Sequence, residues 1–391
     1  MYLPKLLPYG PASLNPDRAS YSLPDLGVHT LGGQNGNLKK IYERIPENGK
    51  ALLDGPETVI LDDDSNIYAL IAKLGILVSI TNLAPSPNDE NILYADVTEL
   101  ASFVGSPLGG KFVPGTKILY IADTLLGLCR IDLAKKNPKV ELVASKVKLS
   151  DGSESPILYA DDVDIGKSGM VYFSDASNIL CDRKPDLSYD VMHAYKLDYF
   201  RGVKSGRLLR YDPNIDKVDV LADGIWFANG IAVDKANEEF IMIAETSMTR
   251  TLKYNIKGAK KGTLEVMNAE LVGLPDGVDC TELGDKCYIA IPTSIPPVLQ
   301  IFYSRYMPKI LEAALKTLLM MLPKSLSPPP ESYGAVVEIE MTLESSTLGR
   351  LFQDPYGVDI MLITGVTEKG GNLYLGSLHN SFIGVLDLNV N

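Results

Sequence analysis

The sequence predicts an all-β fold, a six-bladed β-propeller with a helical insertion capping one face, and three observations predict it. An apolar-aromatic strand motif recurs with its matching residues at Tyr68, Tyr120, Tyr172, Met242, Tyr288 and Tyr374, spaced by 52, 52, 70, 46 and 86 positions. Periods of about 40 to 50 residues belong to propeller blades or solenoids. Each copy then continues the same way: a turn rich in Asp, Gly, Ser or Asn, the strand, a polar break and a second strand ending in Asp or Asn. No long helix separates the copies, which argues against a doubly wound sheet, whereas radial closure of four-stranded blades protects the sheet edges.

Taken in order, residues 1–37 read as an extended N-terminal arm, Pro-rich and aperiodic from Met1-Tyr-Leu-Pro to Ser22-Leu-Pro. The propeller then occupies residues 38–391. Leu38 to Ile45 is compatible with a helical turn or a strand, and the copies follow at Asn66 to Leu83, Ile118 to Leu133, Met170 to Tyr211, Phe240 to Ile256, Lys286 to Ile339 and Asn372 to Leu388. The two long spacings require insertions. The first, 181–205, is polar with interleaved tyrosines. The second, 296–331, carries apolar residues at helical spacing from Val298 to Leu322 before Ser-Pro-Pro-Pro, and reads as one or two helices. These helices are expected to be a lid over the mouth, to pack on the fifth repeat, or to touch a membrane.

Composition narrows the partner. Lys and Arg number 37 against 49 Asp and Glu, a net charge of −12 with no basic block, so nucleic acid and anionic lipid are disfavoured and a small molecule or cation is favoured. Hydrophobic residues make up 46% of the chain, which excludes wholesale disorder, and no 18-residue apolar run is present to span a bilayer. No N-glycosylation sequon and no charged-then-apolar leader is read, so the chain is expected to be soluble as given, with peripheral membrane contact left open. Cys129, Cys181, Cys280 and Cys287 lack C-x-x-C spacing, which excludes the usual zinc frameworks. Cys280 and Cys287 could face each other across a hairpin, but buried free thiols are the expectation for all four.

The stretch Ala160 to Asp175 concentrates the chemistry. Val163, Ile165, Val171 and Phe173 alternate as β-formers around a Lys167-Ser168-Gly169 turn, giving a hairpin with Asp161 and Asp162 at one mouth. Glu57 after Gly55-Pro56, Asn229 before Gly230, and Asp276 between Pro275 and Gly277 head other strands in the same manner. Any one of these alone reads as an ordinary turn residue satisfying nearby N–H groups. In a closed ring, however, residues heading the innermost strands converge on one axis, and Glu57, Asp161, Asn229 and Asp276 would together offer carboxylate and amide oxygens suited to a hard cation such as Ca²⁺. His29, His193 and His379 have no triad spacing. His193 and Trp226 are further candidates for substrate binding beside Asp162, with solvent exposure and core packing as their competing roles. Asp123, like Asp162, is a candidate to support the acids from behind.

With Gly55-Pro-Glu, Leu119-Tyr-Ile-Ala-Asp, Asp161-Asp-Val, Val171-Tyr-Phe-Ser-Asp, Gly206-Arg-Leu-Leu-Arg-Tyr-Asp-Pro, Phe227-Ala-Asn-Gly and Asn372-Leu-Tyr-Leu-Gly-Ser, the chain resembles the strictosidine synthase-like family. That family includes the adipocyte plasma membrane-associated proteins, within a wider propeller group holding gluconolactonases and paraoxonases. The resemblance implies a secretory or membrane-associated setting. It also implies one Ca²⁺ held by Glu57, Asp161, Asn229 and Asp276, with Asp161 replacing what is often Asn, and a lactonase or arylesterase type of hydrolysis. Asp276 would be general base or nucleophile, in a Pro-Asp-Gly motif whose Gly277 leaves room beside it. The plant synthases resemble this chain except at their catalytic glutamate, where Thr364 stands, so amine-aldehyde condensation is the lesser expectation. A non-catalytic binding propeller with a structural metal is the other alternative.

Overall fold

The computed structural model describes residues 27–32, 37–45, 49–184, 188–295, 308–322, 332–341 and 346–389. Within them the chain is mostly β. Alternating β-branched and aromatic residues build antiparallel four-stranded sheets, each running from an inner strand outwards: 107–144, 160–225 and 228–268 supply one sheet each. A fourth sheet starts at Val278–Cys280 and is extended by Gly27–Thr30, which pairs in parallel with Ser346–Asp354. Part of the expected arm is therefore an edge strand. Two short two-stranded sheets aside, the remaining strands form an eight-stranded sheet, in which Leu38–Glu43 pairs antiparallel with Phe382–Asp387 and parallel with Ile92–Ser102. Leu38–Glu43 is thus a strand and not a helical turn, because its apolar Leu38 and Ile41 are claimed by cores on either side.

The matching residues of the repeat land at one structural position. Tyr68, Tyr120, Tyr172, Met242, Tyr288 and Tyr374 all lie on the strand next to an inner strand. The inner strands Pro56–Leu61, Pro107–Phe112, Ala160–Ile165, Ala228–Val233, Val278–Cys280 and Ile363–Lys369 pack each against the next, and the last against the first. This closes a ring around a central cavity. Because the pairing within each sheet is antiparallel, all inner strands begin at the same end, called here the mouth. Links from second to third strand and from outer strand to the next inner strand lie on the mouth side; the other hairpin turns lie at the far end.

Both long insertions leave from second strands, and the helix described in each belongs to the mouth side. The first contains helix α1, Val191–Arg201, with Asp190 capping its first turn and Gly202 ending it in the left-handed region. Its polar, tyrosine-bearing sequence gave no helical period; buried Ser177 accounts for its placement, donating to Asp198 Oδ1 at 2.5 Å. The second contains helix α2, Lys309–Met321, while 296–307 and 323–331 fall outside the described residues. The helices pack on each other, with Tyr195, Leu315, Leu319 and Met320 set against Tyr199, Phe200, Trp226, Met248 and Leu274.

Cys280 and Cys287 are joined in a disulfide, contrary to the expectation of free thiols. They are directly opposed in the register of two paired strands, with Cα atoms 4.0 Å apart, and spacing alone does not reveal that register. Cys129 and Cys181 are buried free thiols as expected.

Candidate functional site

The inner strands share a local irregularity that sets what faces the cavity. Five of them slip register at the mouth, between Pro56 and Thr58, Pro107 and Gly109, Ala160 and Val163, Ala228 and Ile231, and Ile363 and Val366. An extra residue in one strand breaks the alternation and re-aims side chains. The residues at these slips, Glu57, Leu108, Asp161, Asn229 and Thr364, together with Asp276 in the segment that leads into the remaining inner strand, all line one cavity. Asp161 and Asp162 accordingly lie inside a strand, at its bulge, and not before it.

Close approach at this narrow end is made possible by glycines. A Cβ on Gly230 would stand 2.3 Å from the Asp276 carbonyl oxygen, and one on Gly277 would stand 2.6 Å from that of Thr364. Gly277 therefore admits the neighbouring strand; the space beside Asp276 is not vacant for a substrate.

Four residues that are far apart in sequence thus meet at the mouth: Glu57, Asp161, Asn229 and Asp276, each less than one-tenth exposed or lining the same walls. Burial raises Glu57 well above the usual carboxylate range, reinforced by the charge of Asp276, while the Thr364 hydroxyl offers it one opposing hydrogen bond. Asp161 is raised by burial and then by Asp276 and Glu57. Asp276 is pushed up to about 8, chiefly by burial, despite a hydrogen bond from the Asn229 side chain. Glu57 Oε2 is buried without a hydrogen-bond partner. No basic side chain stands among these residues.

The far part of the cavity is built differently, and sequence reasoning missed it. Lys111 Nζ lies 2.9 Å from Asp279 Oδ1, and Lys235 pairs with Asp164. Burial would lower Lys111, yet Asp279, Asp164 and Asp162 together raise it. Asp164 is held below its ordinary value despite burial, by Lys235 and then Lys111. Lys111 follows a Gly-Gly pair on an inner strand, a position that flags it only once the ring is known.

Asp162 lines the same cavity but spends both oxygens on backbone: Oδ1 accepts from Val163 N at 2.8 Å and Oδ2 from Ile231 N at 2.9 Å. It staples two inner strands, and burial lifts it to about 7. Trp226 and His193 do not line this cavity. Trp226 packs between α2 and the sheet beneath, and His193 sits in the first turn of α1. Asp123 is fully buried, accepting from Leu125 and Leu126 N–H groups.

The donor chemistry fits a hard cation: three carboxylates, one amide, one unpartnered buried carboxylate oxygen, and no competing ammonium at the mouth. Among the described residues no group of three or more His, Cys, Asp or Glu side chains is arranged to hold a metal ion as it stands.

Comparison with known proteins agrees with the motifs. The model of the family described as strictosidine synthase matches residues 161–259. The chain is 29% identical over 352 residues to strictosidine synthase-like 3 of Arabidopsis thaliana, covering 86% of this chain and 83% of that protein. It is also 29% identical to the adipocyte plasma membrane-associated protein of Gallus gallus, covering 73% of this chain and 64% of the relative, so it spans slightly less than two thirds of that protein's length. Among solved structures, a gluconolactonase from Xanthomonas campestris aligns with a TM-score of 0.55 at 11% identity, over 90% of this chain and 88% of that one. Regucalcin from Agrobacterium tumefaciens, a calcium-binding protein, aligns with a TM-score of 0.51 at 11% identity, over 92% and 95%. At such identities the likeness establishes a propeller-like fold.

Proposed function

We propose that this relative of the strictosidine synthase-like proteins is a six-bladed β-propeller, the eight-stranded sheet counting as two blades, that hydrolyses an ester or lactone at its mouth with the help of Ca²⁺. The observation that carries the reading is the meeting of Glu57, Asp161 and Asn229, from three inner strands, with Asp276, just ahead of a fourth, on the wall of one cavity. These four would hold the ion. When bound, Ca²⁺ supplies a Lewis acid for a carbonyl oxygen and lowers the cost of crowding carboxylates.

The chain's own residues do the rest. Asp276 is the group to take a proton from the attacking water, since it lines the cavity wall beside Glu57 and Asp161 at the site where the ion would sit. Asn229 orients it through their hydrogen bond. Thr364 lines the wall and donates to the Glu57 carbonyl at 3.3 Å, fixing the inner strand that carries Glu57. Lys111 and Lys235 cancel the acids of the far end, leaving uncompensated negative charge only at the mouth. The α1 and α2 cap limits water access there.

Thr364 also speaks against amine-aldehyde condensation, because it places a hydroxyl where the resemblance would require a carboxylate. Assay of the purified chain on phenyl acetate and a panel of lactones, before and after chelation, tests the reading. Turnover that disappears with chelator and returns with Ca²⁺ supports it; chelator-insensitive turnover, or none on any substrate, overturns it.

A further inference from the structure

The polar residues of the cavity fall into two tiers. Asp161, Asp276 and Thr364 belong to the mouth, with Leu108 beside them, and three residues further along the chain in each case Asp164, Asp279, Thr367 and Lys111 line a lower tier. Both tiers gather carboxylates and a hydroxyl. Among the lining residues the lower tier alone carries an ammonium, that of Lys111.

Lys111 does not pair with an adjacent inner strand. Its own strand, Pro107–Phe112, stands second in the order around the ring, and Val278–Cys280, which carries Asp279, stands fifth, so the two face each other across the cavity. The 2.9 Å hydrogen bond from Lys111 Nζ to Asp279 Oδ1 therefore crosses the ring. By contrast, Ile231 N donating to Asp162 and the Thr364 hydroxyl donating to the Glu57 carbonyl each join neighbours. Asp164 and Asp162, on Ala160–Ile165, act on the same ammonium from a third direction. The side chains of Asp164 and Asp279 are 3% and 7% exposed, and carboxylates buried together need positive charge among them.

We propose that the lower tier is a cation site inside the ring whose occupant is the chain's own Lys111 ammonium, held there in place of a free ion. Asp279 and Asp164 are the donors such an ion would meet, carboxylate oxygens of the hard kind that Ca²⁺ takes. The covalent tether makes occupancy independent of ion concentration, so the floor of the cavity stays bridged when no metal is present. The claim goes beyond the mouth site and does not rest on it.

Equilibrium dialysis against Ca²⁺ tests this directly. Lys111→Ala should bind one Ca²⁺ more per chain than wild type, and Lys111→Ala/Asp279→Ala should return to the wild-type count. In chelator Lys111→Ala should melt below wild type or fail to fold, and added Ca²⁺ should restore it. An unchanged count in the folded variant, an extra ion that persists in the double variant, or a Lys111→Ala chain that stays unfolded in saturating Ca²⁺ would overturn the proposal. A wild-type count of zero would end the reading of the mouth as a calcium site, while the difference between variant and wild type would still decide this one.

Discussion

Asp162 and Asp164 stand on one inner strand, each accepting a hydrogen bond from the N–H of the residue after it and another from the next inner strand, at Ile231 and Val233 respectively. Both are buried, yet burial lifts Asp162 to about 7 while Asp164 falls below the ordinary range. The difference is the company kept along the cavity axis. Asp164 faces Lys235 and Lys111, whereas Asp162 belongs to the end where acid meets acid. The same staple is therefore held ionised where bases neutralise it and pushed towards its protonated form where they do not.

The sharpest way to break this contrast is at the mouth. Asp276→Asn should reduce turnover by about 100-fold or more, the usual scale for loss of a general base, with a thermal midpoint close to wild type. A large fall in the midpoint would make Asp276 structural. At the far end the order of effects should reverse. Lys235→Met leaves Asp164 buried without its partner and should cost about 3 kcal/mol in urea unfolding, whereas Asp162→Asn, which removes a carboxylate already disfavoured by burial, should change stability far less. Equal costs for the two variants would dissolve the distinction between the ends.

The fold was largely legible in the sequence because its repeat is carried by local β-strand chemistry: Tyr68, Tyr120 and Tyr172 mark equivalent strands without knowledge of any contact. Glu57, Asp161, Asn229 and Asp276 could be grouped for the same reason, as each falls near the start of a comparable strand, but the bulges that carry three of them were not legible. Lys111 and Asp279 were not, since their pairing joins residues 168 positions apart and depends on which strands become neighbours across the ring. Helix α1 escaped because its buried face mixes Val191, Ala194 and Tyr199 with the acid Asp198, whose partner Ser177 lies elsewhere in the chain. The Cys280–Cys287 bridge needed the strand register, which spacing does not supply.

The pH dependence of stability should separate the ends further. In chelator, the folded chain keeps a proton on Asp276 up to about 8, whereas the unfolded chain releases it near the ordinary carboxylate value. The folded state thus binds more protons in between, so this group's stabilisation is full below about pH 4 and is lost as pH rises towards 8. Denaturant midpoints measured across that range should decline, and saturating Ca²⁺ should flatten the decline; a rise with pH would contradict the assignment. The smallest effect belongs to Asp62 at the far end, held at about 2 by Lys117, Asn66 and backbone donors that outweigh its burial. Its contribution is present above about pH 4 and disappears as pH falls towards 2. Asp62→Asn should therefore cost about 1 kcal/mol at neutral pH, and the difference from wild type should vanish in acid.

The pairing of Leu38–Glu43 with Phe382–Asp387 has a consequence for how the molecule comes into being. A ribosome delivers the first of these strands long before the second, so the early segment must wait with an open hydrogen-bonding edge until residues 382–387 emerge. Nascent polypeptides halted ahead of residue 382 should remain protease-sensitive at the leading strand, and emergence of residues 382–387 should be the event that makes it resistant.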